Sequence, residues 1–340
     1  MRQSQIPYPI DSKEKTVDYR GGNIVNILVI HSHNANRGDE AAVKAMVDEL
    51  LIKYPGATIT ISNNGFTPYP GMPENVIQID RFPKLESRMA QLEFFIVLLF
   101  KGKFAFTKEA RKFIRALKEA DVVLHAPGGP SIGDTYFKAE KLYLWRLNLI
   151  RRMGIPYIFY APSMGPFNCT SRNKLRKEVI SGAERIVLRD PISVKYVKDF
   201  LPGVEVEQAL DSALQHDIDI DKNERKYNNY PELKNFIENH EKCIGITITD
   251  LKWHPVHKNE KIIEQIPTAF KAFITQKVKE GYGVVFIPQL YGNLNDTKVM
   301  NDYMLDSDTF MIDAFSEERD TYFQQYVIGC LLYTSDAADE

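Results

Sequence analysis

No stretch of this chain stays apolar long enough to cross a bilayer. The longest apolar run, Phe94–Phe100, falls far short of the roughly 18–20 residues that a span requires. The first residues are polar and carry prolines where a secretory signal would carry an apolar core. Cysteine is scarce: Cys169, Cys243 and Cys330 stand far apart with no C-x-x-C pair, which excludes a disulfide framework and a cysteine zinc site. Charge of one sign is lacking too. With 43 basic against 45 acidic side chains, nothing in the net charge favours nucleic acid as a partner. Apolar residues at 44% and charged residues at 26% exclude a disordered, fibrous or low-complexity chain. What remains reads as a cytoplasmic enzyme, and 340 residues at about 150 per domain suffice for two cores.

The chain alternates short apolar runs with segments of helical spacing. Asn23–His31, Asp121–Ala126, Pro156–Tyr160 and Ile186–Arg189 read as strands. Asp39–Lys53, Tyr136–Met153, Arg172–Gly182 and Pro191–Phe200 read as helices, and Val204–Ala209 closes this first round. Strand and helix in alternation predict an α/β fold with a parallel sheet covered on both faces. The polar stretch Gln215–Tyr230 reads as a linker or long loop. A second round follows: strands at Cys243–Thr249, Gly283–Pro288 and Thr309–Ile312, helices at Lys261–Glu280, Asp296–Leu305 and Ser316–Val327.

The expected boundaries are a tail over 1–22, a first Rossmann-like domain over 23–212, a linker over 213–240 and a partial second Rossmann-like domain over 241–329. The residues from Cys330 to Glu340 break the pattern. Back-translated, they resemble the transposon-end adapter of sequencing libraries read in frame, and are set aside from fold reasoning. The natural sequence is expected to continue differently past Gly329, and the chain ending at Glu340 is expected to be inactive. Phe82–Ala120 is a helical region in which Phe94–Phe100 adjoins Lys101 and Lys103. Two placements fit it: a helical hairpin packed on the sheet, or a face lying on a membrane.

Four polar loops follow strands. Asn34–Ala41 enters a helix; Gly38 permits a tight turn, Asp39 suits the cap, and Asn36, Gly38 and Glu40 join it as candidate binding residues, because a helix N-terminus favours an anion. Ala126–Asp134 carries Gly128, Gly129, Ser131 and Asp134, its glycines permitting close approach of a ligand. Ala161–Pro166 carries Ser163 and Gly165. Arg189-Asp190-Pro191 opens a helix, with Asp190 suited to the cap and Pro191 to the first turn. Arg189 is not needed there and offers a fork for carboxylate or phosphate. Open α/β sheets bind ligands at this strand edge. His31 with His33, and His254 with His257, lack a third ligand nearby in sequence, so no metal site is assigned.

The ordered segments Gly38–Ala41 (GDEA), Ala126–Asp134 (APGGPSIGD), Ile155–Phe167 (IPYIFYAPSMGPF), Val187–Val194 (VLRDPISV), Gln208–Ala213 (QALDSA), Ile244–Thr249 (IGITIT) and Val284–Gln289 (VVFIPQ) resemble the polysaccharide pyruvyl transferase family. The resemblance covers nearly all of Asn23–Gly329. It implies two Rossmann-like domains in a glycosyltransferase-B-like arrangement. It also implies transfer of pyruvate, as a ketal, from phosphoenolpyruvate to two hydroxyls of a sugar or lipid-linked glycan in capsule, exopolysaccharide or cell-wall synthesis. No cofactor is expected beyond phosphoenolpyruvate as co-substrate. The work is expected in the cytoplasm, or at the inner face of the membrane if the second placement of Phe82–Ala120 holds. Arg189 matches the family's arginine before aspartate and is assigned to a donor anion. Asp39, Asp134 and Asp211 are the carboxylates placed to orient or deprotonate sugar hydroxyls, and Gln289 is a binding candidate. The family's arginine–histidine segment, expected soon after Tyr322–Gly329, has no counterpart here. A nucleotide-sugar glycosyltransferase and a non-catalytic sugar-binding protein are the alternatives, separated by titration with phosphoenolpyruvate and with nucleotide sugars.

Overall fold

Short runs of apolar residues that do not alternate with polar ones build a sheet buried on both faces. The computed structural model describes residues 25–33, 35–64, 68–83, 88–215, 218–254, 258, 260–292, 294–313 and 319–331. The chain divides into two compact units. The described residues of the first fall within 1–34, 42–68 and 72–216, those of the second within 35–41, 69–71 and 217–340.

The first unit is built on seven parallel strands. In chain order they are β1 (Asn26–Ser32), β2 (Thr58–Asn63), β3 (Val76–Asp80), β4 (Val122–His125), β6 (Tyr157–Tyr160), β8 (Arg185–Leu188) and β9 (Glu207–Gln208), with two further short strands, β5 (Gly128–Ile132) and β7 (Pro162–Met164), paired apart from them. The order across the sheet is β3-β2-β1-β4-β6-β8-β9. Strand succession therefore reverses between β1 and β4, the switch point at which such sheets open a crevice beyond their carboxyl ends.

Helices α1 (Arg37–Lys53), α2 (Arg88–Leu99), α3 (Lys108–Glu119), α4 (Phe137–Met153), α5 (Asn173–Ser181) and α6 (Pro191–Phe200) follow the strands. Helix α3 buries Ala110, Phe113, Ile114 and Leu117, the i, i+3, i+4, i+7 stripe of a surface helix, and the Thr107 hydroxyl caps it by accepting from the Ala110 N–H. At α4 the chain stops on Gly154, whose φ of 75° suits a residue without a side chain. Leu28, Ile30, Val123, Phe159, Leu188, Phe94, Phe113 and Leu147 share one core.

In the second unit β10 (Lys242–Ile246), β11 (Tyr282–Phe286) and β12 (Thr309–Met311) form a parallel sheet. Its two faces fill separate cores by period-two alternation. Cys243, Val285 and Ile287 pack with Leu233, Phe323, Val327 and Leu331; Ile246, Val284 and Phe286 pack with Ile274 and Met300. The helices are α7 (Ile220–Asn228), α8 (Pro231–Glu238), α9 (Ile266–Lys279), α10 (Asp296–Met300) and α11 (Thr321–Gly329).

The fold class is α/β, with a parallel sheet in each unit. Three differences from the sequence reading are physical. Strands β2 and β3 were not anticipated, because TITISN and VIQID carry too few apolar residues to signal a strand. Gln215–Tyr230, read as linker, includes α7, whose residues are nearly all exposed or half-buried and so show no apolar stripe. The glycine segment Gly128–Ile132, read as loop, pairs with β7. At the other end, Leu331 is buried in a core, while Leu332–Glu340 lie outside the described residues.

Candidate functional site

The segment after β4 and the segment after β6 are zipped together in the first unit. Gly165 N–H donates to the Ile132 carbonyl at 2.8 Å, and Asp134 N–H to the Pro166 carbonyl at 2.8 Å. The start of α6 joins them, since the Ser193 hydroxyl accepts from the Met164 N–H at 2.9 Å. Two of the glycines serve this packing. A Cβ on Gly133 would stand 2.5 Å from the Gly165 carbonyl oxygen, and one on Gly165 would stand 2.6 Å from the Tyr196 ring, with φ positive at both. Gly128 is buried. Gly129 differs: it is exposed, and nothing lies within 4 Å of the Cβ it lacks.

On this platform Arg189, at the carboxyl end of β8, sits at the centre of a polar cluster. Its Nε donates to Ser163 Oγ at 2.9 Å and its Nη1 to Asp211 Oδ2 at 2.5 Å. Both members of the ion pair are 27% exposed. No protein acceptor meets Nη2 among the described residues, so one edge of the guanidinium fork stays open. Asp211 also caps a short turn, its Oδ1 accepting from the Ala213 N–H at 3.0 Å. Asp190 caps α6 through the Ser193 N–H at 2.7 Å and accepts from the Ser193 and Ser163 hydroxyls. Burial pushes the Asp190 carboxyl up, but those hydrogen bonds and the adjacent Arg189 outweigh it and hold its pKa below the usual value. Three of the sequence candidates, Arg189, Asp211 and Ser163, are thus brought together.

Asp134 stands in a different network. Its carboxylate meets Arg176 Nη2 at 2.7 Å and accepts from the Cys169 N–H at 2.9 Å. Arg176 is fully buried and also holds Glu140 at 2.7 Å, while Glu140 accepts from the Gly133 N–H at 2.8 Å. Both oxygens of Asp134 are thus committed to clamping the glycine segment onto α4 and α5.

Histidines occupy the switch point itself. His31 is the penultimate residue of β1, with φ at 63°, and both its ring nitrogens are buried without a hydrogen-bond partner among the described residues. Burial, with His125 beside it, holds its pKa well below 6.5. His125 ends β4: its Nδ1 lies 2.8 Å from the Ala126 carbonyl and its Nε2 2.6 Å from Ser131 Oγ. The carbonyl requires the proton on Nδ1, so Nε2 accepts from the serine hydroxyl. Burial lowers the His125 pKa to about 4, leaving a neutral imidazole. Tyr143 packs edge-on to His31 and its hydroxyl lies 3.1 Å from His33 Nε2. His125 was missed in the sequence because its partner Ser131 lies across a turn of six residues, a spacing with no motif.

The first loop falls in the second unit. Asn36, not Asp39, caps α1: its Oδ1 accepts from the Gly38 N–H at 2.7 Å and the Asp39 N–H at 3.3 Å. Asp39 sits one turn further in, half-buried. Glu40 is fully buried and pairs with Arg37 at 2.5 Å, while the Tyr291 hydroxyl donates to it at 2.9 Å and the Thr321 N–H at 3.2 Å. Its carboxylate is therefore consumed inside the unit. Gln289 lines a cavity of about 490 Å³ beside β10, with Ile246, Phe273, Ile328 and Leu331 in its wall. The cation in that wall, Lys277, is held by Glu280 at 2.7 Å, so the cavity suits apolar matter better than an anion. His254 is described and His257 lies outside the described residues.

The family model for polysaccharide pyruvyl transferase matches residues 36–323. No curated relative matches the chain. Among solved structures, the UDP-GlcNAc 2-epimerase from Neisseria meningitidis bound to UDP-GlcNAc is similar at 12% identity and TM-score 0.49, covering 88% of this chain and 74% of that one. An α,α-trehalose 6-phosphate synthase from Burkholderia multivorans is similar at 12% identity and TM-score 0.43, covering 87% and 74%. The UDP-N-acetylglucosamine 2-epimerase from Rickettsia bellii stands at 9% and 0.43, covering 90% and 71%.

Proposed function

The chain belongs to the polysaccharide pyruvyl transferase family, and from that premise we propose that it transfers pyruvate from phosphoenolpyruvate to two hydroxyls of a glycan, forming a ketal and releasing phosphate. The observation that carries the reading is the half-used fork of Arg189, anchored by Ser163 and Asp211 with Nη2 open. An anchored guanidinium binds an anion at little ordering cost, and phosphoenolpyruvate brings a phosphate and a carboxylate.

The chemistry then has four parts. The methylene carbon of the donor takes a proton, a sugar hydroxyl bonds to the adjacent carbon, the bond to phosphate oxygen breaks, and a second hydroxyl closes the ring. One hydroxyl proton balances the methyl group formed and the other leaves with phosphate. Of the carboxylates expected to serve the hydroxyls, Asp211 also has both oxygens engaged, by Arg189 and the Ala213 N–H. It is 27% exposed beside the open edge of Arg189, however, and is our assignment for orienting the acceptor through its remaining lone pairs. Asp134 holds a structural partner, Arg176, instead, and Asp39 lies in the second unit. No cofactor is invoked.

The test is phosphate release by the protein with phosphoenolpyruvate and a panel of glycans. Release that depends on a glycan acceptor supports the reading. Turnover of nucleotide sugars with none of phosphoenolpyruvate makes it a glycosyltransferase, and glycan binding without turnover makes it a binding protein.

A further inference from the structure

Helix α2 has one face in the core and one in water, and both are apolar. Phe94 and Val97 are buried in the core of the first unit. Met89, Leu92, Phe95 and Leu99, on the other side, are between 51% and 73% exposed. The turn that follows adds Phe100, Phe104 and Phe106, between 44% and 59% exposed. Seven large apolar side chains within eighteen residues are unlike the scattered single ones of an ordinary surface. The turn is held in place. The buried Glu93 carboxylate accepts from the N–H groups of Phe106 and Thr107, each at 2.7 Å, and from the Thr107 hydroxyl at 2.9 Å. Phe100 and Phe104 meet edge to face at 5.0 Å.

Charge decides what such a face fits. Arg88, Lys101, Lys103, Lys108, Arg111 and Lys112 are all exposed, and none makes an ion pair among the described residues. The acids of the same segment are Glu93, already consumed, and Glu109, half-buried. Two copies of this chain meeting through the face would set like charges against each other. A bilayer of anionic lipid satisfies both features: apolar side chains enter the acyl boundary while lysine and arginine stems reach up to the headgroups. No helix among the described residues is long and apolar enough to cross a membrane, so contact would be with the surface. We propose that α2 and the turn over residues 100–107 dock this protein on an anionic lipid bilayer. The inference does not depend on the reaction proposed above.

Co-sedimentation of the full chain with vesicles tests it, using phosphatidylglycerol mixed with phosphatidylcholine against phosphatidylcholine alone. Binding should require the anionic lipid and weaken with added salt. Phe95→Glu with Leu99→Glu should cut binding by tenfold or more, on the order of the lost apolar insertion, without moving the melting temperature, because both side chains are exposed. Lys101→Ala with Lys103→Ala should cut it by about fivefold per charge, and this pair decides the matter if the first does not fold. No binding, equal binding to both vesicles, or binding untouched by either pair overturns the proposal. So does a wild-type dimer that Phe95→Glu with Leu99→Glu turns into a monomer, since a second copy would then cover the face.

Discussion

Replacing Arg189 by alanine separates a ligand contact from a structural one. In the structure the guanidinium spends Nε on Ser163 and Nη1 on Asp211 and leaves Nη2 open. Losing one charge-assisted hydrogen bond to the donor anion costs about 1.5–3 kcal/mol, which is roughly 10–150-fold in affinity. The cost to the fold is much smaller. Asp190 keeps its bonds to Ser193, Asp211 keeps the Ala213 N–H, and an ion pair with both partners 27% exposed contributes at most about 1 kcal/mol. That predicts a melting temperature lower by only about 2–4 °C. Calorimetric titration with phosphoenolpyruvate, beside a thermal melt, reads both quantities. Arg189→Lys should fall between the two, since a single ammonium cannot hold Ser163, Asp211 and the donor at once. An alanine variant that keeps its phosphoenolpyruvate affinity refutes the assignment. A variant that unfolds makes Arg189 a structural member of its cluster.

Other outcomes follow from the same geometry. Glu140→Ala should cost about 3–5 kcal/mol of stability, because it leaves the fully buried Arg176 with part of its charge uncompensated; chemical denaturation measures it. Gly129→Ala should fold normally, its methyl entering open space, and lose donor or acceptor binding where a ligand lies against that backbone; Gly165→Ala should instead destabilise, since its Cβ meets the Tyr196 ring at 2.6 Å. His125 is neutral in the fold with a pKa near 4 against about 6.5 unfolded, so the unfolded chain binds the extra proton. Its contribution is complete above about pH 6.5 and is lost as the pH falls to 4, on the order of 3 kcal/mol; melts of wild type and His125→Gln across that range should converge towards low pH.

What the sequence made legible follows from where side chains go. Strands β1, β4 and β8 could be read because both their faces are buried, so Asn26–Ser32 and its neighbours appear as unbroken apolar runs whatever the tertiary detail. Asp190-Pro191 could be read because capping is local: both residues act within one turn of the helix they start. Asn36 shows the limit of that logic. Asp39 is as good a capping residue by type, and the choice between two positions three residues apart rests on where the backbone turns. Long-range pairing is the harder barrier. The Asp134 motif looked like a ligand loop, and only the approach of Arg176 from a helix 42 residues away makes it a clamp. His125 stands just outside the Ala126–Asp134 motif, yet the strand it ends lies beside β1 at the reversal of strand order, which brings it to the crevice with Ser131. A sequence therefore shows which loops share the ligand-binding edge of a sheet, while the division of their polar residues between ligand and scaffold depends on which partners the fold delivers to each.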